Sequence, residues 1–138
     1  MVNKRIDIFG TLVNITTIDE APRLILMASE NNVSGYMCLP DSYVIVSATK
    51  DEKLRDILNN SLMTFPDGAP LALYSKLKGV KNITSISGFW LIDKLMATDL
   101  SHYFYGSSEK ELSKIKQRIE NSYPNGRVLG YKSPPWVN

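Results

Sequence analysis

Polar and apolar residues alternate with period two through Arg5-Ile6-Asp7-Ile8-Phe9, and Gly10 turns the chain into Thr11-Leu12-Val13. That pattern predicts a short hairpin or bent edge strand. Thr17 precedes Asp19 and Glu20, whose charge suits the first turn of a helix running to about Glu30, with Pro22 tolerated in that turn. Asn31-Asn32 and Gly35 break the helix, and the apolar run Tyr36-Met37-Cys38-Leu39 predicts a buried strand ending at Pro40. Asp41-Ser42 can cap a helix carrying Val44, Ile45 and Ala48, and a second helix from Thr49 or Asp51 places Leu54, Ile57 and Leu58 on one face. Leu62-Met63-Thr64-Phe65 is the next strand, closed by Pro66-Asp67-Gly68.

From about Ala69 to Lys78 the spacing of Leu73 and Leu77 predicts a helix that Gly79 stops. Gly88 opens an apolar helix with Phe89, Ile92, Leu95 and Met96, expected to pack on more than one side. Ser101-His102-Tyr103-Phe104-Tyr105 predicts a strand, and Ser108 with Glu111 forms the signature of a capping box for a helix lined by Leu112, Ile115, Ile119 and Tyr123. Pro124-Asn125-Gly126 turns into a last strand, Arg127-Val128-Leu129-Gly130-Tyr131, which Ser133-Pro134-Pro135-Trp136 cannot continue.

The predicted order is a β-hairpin followed by α-β-α-α-β-α-α-β-α-β. Strands separated by helices imply mostly parallel pairing, so the fold class is α/β: a Rossmann-like sheet with helices on both faces, in a single domain over residues 1–138. A doubly wound sheet that stops at its last strand is expected to lack C-terminal elements. Composition adds exclusions: 43% hydrophobic and 22% charged residues describe an ordinary globular chain, and sixteen Lys and Arg against fourteen Asp and Glu give +2, too balanced for an electrostatic nucleic-acid binder. A single cysteine, Cys38, excludes an internal disulfide and, with only His102 beside it, a structural zinc site. No apolar run reaches the roughly 20 residues of a membrane helix, and Met1-Val2-Asn3-Lys4-Arg5 leads into no signal-peptide core.

Ligands of open parallel sheets bind beyond the carboxyl ends of the strands. Four segments reach that rim in the predicted order: Pro40-Asp41-Ser42, Pro66-Asp67-Gly68, Gly106-Ser107-Ser108 and Tyr131-Lys132-Ser133-Pro134-Pro135. Asp67 on its tight turn could act as a general base on a hydroxyl, or could simply cap the following helix. Asp41 has the same two readings. Gly106-Ser107-Ser108 can present free N–H groups to a phosphate or serve only as a serine-capped turn. His102 has no acid beside it and reads as a packing or surface residue, and Cys38 as inert core. Segment 109–132 holds six Lys and Arg against three Glu, which suits an anionic surface or a solvated helix face.

The run Asp51-Glu52-Lys53-Leu54-Arg55-Asp56-Ile57-Leu58-Asn59-Asn60, then Phe65-Pro66-Asp67-Gly68-Ala69-Pro70-Leu71, resembles the WecG/TagA/CpsF glycosyltransferase family. So do Gly88, Tyr103-Phe104-Tyr105-Gly106, Tyr123-Pro124 and the ending Val128-Leu129-Gly130-Tyr131-Lys132-Ser133-Pro134-Pro135-Trp136. The resemblance implies a Rossmann-like enzyme moving a sugar, usually an N-acetylhexosamine, from a UDP-sugar donor to a polyprenyl-diphosphate-linked acceptor, inverting the anomeric centre without a metal or other cofactor. It implies Asp67 as general base, and Asp41, Gly68, Gly106, Ser107, Tyr131, Ser133 and Pro134 as substrate-binding positions. It places the protein in the cytoplasm at the inner face of the plasma membrane, docked through a C-terminal part beyond this chain, with self-association as a homo-oligomer left open. Leu39-Pro40-Asp41 stands where members read Thr-Pro-Asn or Thr-Ala-Asn, and Ser85 and Trp90 stand where members carry an arginine and an acid. These departures keep a second reading open, a non-catalytic relative acting as an interaction module. A generic phosphate-binding domain is the third.

Overall fold

A computed structural model describes residues 4–135, so Met1-Val2-Asn3 and the expected break at Trp136 lie outside the described residues. The elements follow the predicted order: β1 (Arg5–Ile8), β2 (Thr11–Asn14), α1 (Ala21–Glu30), β3 (Met37–Cys38), α2 (Ser42–Ala48), α3 (Glu52–Asn59), β4 (Met63–Thr64), α4 (Ala69–Leu77), α5 (Gly88–Met96), β5 (Ser101–Tyr105), α6 (Glu109–Ser122) and β6 (Arg127–Lys132). The chain divides into two compact units, one through Leu91 and one from Ile92. The described strands form three pairs: β1 with β2 antiparallel, and β3 with β4 and β5 with β6 parallel.

In the first unit Phe9 and Gly10, both at positive φ (53° and 88°), make the two-residue loop of the hairpin, and the Asp7 carboxylate accepts from the Gly10 N–H at 2.7 Å. Phe9 therefore belongs to the turn and not to the strand. A left-handed phenylalanine costs about 1–2 kcal/mol, and its ring contact with Tyr74, centroids 5.1 Å apart, offsets part of that. Ile8 and Val13 point into a core shared with Ile45, Leu71 and Ile83. Alternation in β1 thus does what the pattern predicts, since Asp7 and its partner Leu12 are exposed.

The opposite face of the hairpin is tied to the end of α3 by side chains. Arg5 donates to the carbonyls of Asn59, Ser61 and Leu62 at 3.1, 2.8 and 3.0 Å, satisfying acceptors that a helix terminus leaves open. The Asn59 amide accepts from Leu12 N–H at 2.8 Å and donates to Gly10 O at 2.9 Å, imitating a strand partner. Fully buried Asn14 accepts from the Thr64 N–H at 2.6 Å, extending β4 sideways through a side chain. Asn14→Ala leaves that N–H buried without an acceptor, so we expect a loss of about 1–3 kcal/mol. Urea unfolding checks it, and an unchanged midpoint would refute the role.

Three local expectations are corrected. Asp19 and Glu20 lie before α1 rather than inside its first turn. Glu20 instead closes a reciprocal box with Thr17: its carboxylate accepts from Thr17 N–H at 3.1 Å while Thr17 Oγ1 accepts from Glu20 N–H at 3.3 Å. β3 is half-buried rather than core, because Tyr36 and Met37 are exposed and Cys38 is intermediate. On α5, Leu91 and Met96 are buried but Phe89 and Ile92 are exposed, so an apolar sequence does not become a helix covered on several sides.

The second unit is a β-α-β element. Ser108 Oγ accepts from Glu111 N–H at 3.3 Å to start α6, and Leu112 and Ile119 are its buried residues. The β5–β6 register shifts between His102 and Tyr103, leaving Leu129 as the extra residue of a bulge. Gly130 then lies under the Tyr103 ring, where an added Cβ would stand 3.0 Å from Cε2.

Candidate functional site

The parallel pairing of β3 and β4 runs on past the strands. Phe65 N–H donates to Cys38 O at 2.9 Å and Asp67 N–H donates to Pro40 O at 3.0 Å. Pro40-Asp41 and Pro66-Asp67-Gly68 therefore leave the carboxyl ends of two strands on the rim that the element order predicts, and the pairing of β3 with β4 sets them side by side. Asp41 is the N-cap of α2 and accepts from Val44 N–H at 2.9 Å, so one of its carboxylate oxygens is engaged in capping.

Asp67 is held from both directions. Phe65 and Pro66 before it are buried, and Gly68 after it adopts φ +93° and ψ 147°, a conformation strained for any L side chain. Gly68 is the N-cap of α4, with Pro70 inside the first turn. The Asp67 side chain is intermediate in exposure, and among the described residues no ion pair or side-chain hydrogen bond engages its carboxylate.

Sequence reasoning did not foresee what braces this turn. An extended stretch over residues 83–86, between buried Ile83 and Ile86, lies against it: Ile86 N–H donates to Pro66 O at 2.8 Å and Ser85 Oγ accepts from Gly68 N–H at 2.9 Å. On its other side Thr84 N–H donates to Thr16 O at 3.1 Å, and Thr84 Oγ1 accepts from Ile18 N–H at 2.7 Å. The only signal was alternation of two isoleucines with hydroxyl residues across Ile83-Thr84-Ser85-Ile86, too short to separate from a loop. Ser85, standing where the resemblance expects arginine, is thus a hydroxyl bound to the backbone beside Asp67.

In the second unit Gly106 (φ 126°) and Ser107 (φ 59°) form the turn between β5 and α6. Gly106 N–H donates to Lys132 O at 3.1 Å, and the Ser133 hydroxyl donates to Ser107 O at 2.7 Å. Tyr131 pairs with Phe104 in the ladder just before this clasp, and Pro134 follows it. The structure accordingly brings Gly106 and Ser107 together with Ser133, as it brings the Asp41 and Asp67 turns together in the first unit.

His102 behaves as the sequence suggests, whereas Cys38 is inert but only half-buried rather than core. Burial holds the His102 imidazole below its ordinary value, opposed by a hydrogen bond to the Leu95 backbone, and its Nε2 has no partner among the described residues. Burial pushes the Cys38 thiol up, away from the reactive thiolate. A depressed histidine value means that the folded state binds fewer protons. Its stabilisation is present above the unfolded value of about 6.5 and is lost as pH falls through the folded value. We expect the thermal midpoint to drop between pH 7.5 and 5 by more in the wild type than in His102→Gln; equal drops would exclude His102 as the source. Among the described residues no three His, Cys, Asp or Glu side chains cluster as metal ligands, and no helix is long and apolar enough to cross a membrane.

Comparison with known proteins adds two findings. The model of the glycosyl transferase WecG/TagA/CpsF family matches residues 6–138. A Bacillus subtilis (strain 168) protein named N-acetylglucosaminyldiphosphoundecaprenol N-acetyl-beta-D-mannosaminyltransferase is 24% identical over 92 residues, covering 64% of this chain and 36% of the relative. The matched stretch thus spans about a third of that protein's length.

Proposed function

The chain belongs to the WecG/TagA/CpsF glycosyltransferase family, and on that premise we propose that it takes part in cell-surface polysaccharide synthesis by moving a sugar from a UDP-sugar to a polyprenyl-diphosphate-linked saccharide. The observation that carries the reading is the Asp67 turn: a carboxylate without a partner among the described residues, on a backbone fixed to Pro40 and flanked by Gly68 bound to Ser85. Asp67 takes the proton of the acceptor hydroxyl. The oxygen then forms its bond to the anomeric carbon as the bond to UDP breaks, inverting that centre, with no metal in the step. Gly68 and Asp41 border the acceptor. Within the second unit we assign substrate-binding roles to Gly106 and Ser107, with Tyr131, Ser133 and Pro134 beside them, because N–H groups at the start of α6 suit an anion. The relative's name supports an N-acetylhexosamine donor and a diphosphoundecaprenol-linked acceptor, and we propose that the work is done at the inner face of the plasma membrane. We also propose that residues 1–138 act as one portion of the catalytic domain.

Thermal shift with a UDP-N-acetylhexosamine tests the reading. A ligand at a hundred times its Kd stabilises by about 2.7 kcal/mol, so the midpoint should rise measurably and saturate. No shift at millimolar ligand would favour the non-catalytic interaction module suggested by Leu39, Ser85 and Trp90.

A further inference from the structure

One face of α4 forms the wall of a groove of about 530 Å³ in the first unit. Ala69, Ala72, Leu73 and Lys76 lie on it at i, i+3, i+4 and i+7, and Thr84 and Ser85 form the facing side. The groove starts two residues from Asp67, at the Ser85 hydroxyl that accepts from Gly68 N–H. Its two ends differ in chemistry. At the Asp67 end the wall is small and the opposite side carries hydroxyls; at the far end stands the Lys76 ammonium, in no ion pair among the described residues. Leu73 on the groove wall and Leu77 just past Lys76, 59% and 79% exposed, form an apolar stripe.

The hydroxyls carry a specific implication. Thr84 Oγ1 and Ser85 Oγ each accept a backbone N–H, from Ile18 and Gly68. A hydroxyl also has a proton to give, and in neither case does a protein acceptor take it among the described residues. The Ser85 O–H donor beside the Asp67 turn, over an alanine-floored groove that Thr84 also lines, suits a hydroxylated ring. From Ala69 to Lys76 the helix rises about 10 Å, the span of a pyranose ring and a diphosphate.

We propose that this groove seats the acceptor: saccharide on Ala69, Ala72 and Leu73 beside Thr84 and Ser85, diphosphate at Lys76, and the start of the apolar chain at Leu77. The assignment rests on the glycosyltransferase reading and adds to it the acceptor's direction, from Asp67 along α4.

The test is a titration of the ¹⁵N-labelled chain with N-acetylglucosaminyl diphosphate carrying a farnesyl tail. Amide shifts should saturate and concentrate on Ala69, Ala72, Leu73, Lys76, Thr84 and Ser85. Lys76→Gln, at an exposed helix position, should weaken binding about tenfold or more by removing a charge-assisted contact. Leu73→Asp should weaken it at least as much, and the thermal midpoint should stay unchanged in both. UDP affinity should not change. Shifts elsewhere, no saturable binding, or unaltered affinity in both variants would overturn the groove assignment. The two readings fail separately: Asp67→Asn keeping full transfer would remove the catalytic role while probe binding in the groove stands. Transfer whose acceptor KM is indifferent to Lys76→Gln and Leu73→Asp would remove the groove and leave the activity.

Discussion

If Asp67 is the general base as proposed, replacing it by asparagine should lower the rate of sugar transfer by about a hundred- to ten-thousand-fold, the usual contribution of such a group. The substitution preserves shape and removes basicity. No protein group is bound by the carboxylate among the described residues, so little stability is at stake, and Asp67 N–H keeps its bond to Pro40 O at 3.0 Å. The thermal midpoint should move by no more than about 2 °C, well below the shift that a 1 kcal/mol loss gives in a domain of this size. Donor binding should persist. Transfer at the wild-type rate in Asp67→Asn would end the assignment of Asp67 as base, while a large fall in midpoint would mean that Asp67 is structural.

A second large effect is expected at Phe65, fully buried two residues before Asp67. Phe65→Ala removes a packed ring and leaves a cavity, which destabilises by about 3–5 kcal/mol. A domain of this kind has only about 5–15 kcal/mol in total, so the variant should lose a large share of its urea midpoint with little change in slope. Phe65→Leu, which keeps most of the volume, should lose less than about 1.5 kcal/mol. Both are checked by urea unfolding followed by circular dichroism. A loss under about 1 kcal/mol for the alanine variant would show that the strand end is not anchored by this ring.

Much of the local structure was legible because its signals are short-range. Asp41, Asp51 and Ser108 each accept an N–H from the residue three ahead and start α2, α3 and α6 where the sequence reads a cap. Gly68 and Gly79 adopt positive φ at the two ends of α4. Periodicity failed where burial depends on distant neighbours. Phe9 reads as the last strand residue but sits in the hairpin loop, and the apolar run at α5 says nothing about which of its faces is covered.

The candidate site divides along the same line. Its turn residues, Asp67 with Gly68 and Gly106 with Ser107, follow from a strand ending in glycine ahead of a helix, a pattern within ten residues of chain. The element order alone puts Asp41 and Asp67 on one rim, since parallel strands joined by helices end on the same side, while the pairing of β3 with β4 makes them neighbours. What holds the Asp67 turn comes from farther away. Pro40 lies 27 positions earlier and Ser85 lies 17 positions beyond Gly68. Asn14 reaches across fifty positions to complete β4 through a side chain. Helices, caps and turns are set by energies between residues a few positions apart, so the sequence by itself determines them. Which polar groups become each other's only partners is decided when the layers close and water leaves, and that belongs to the tertiary structure.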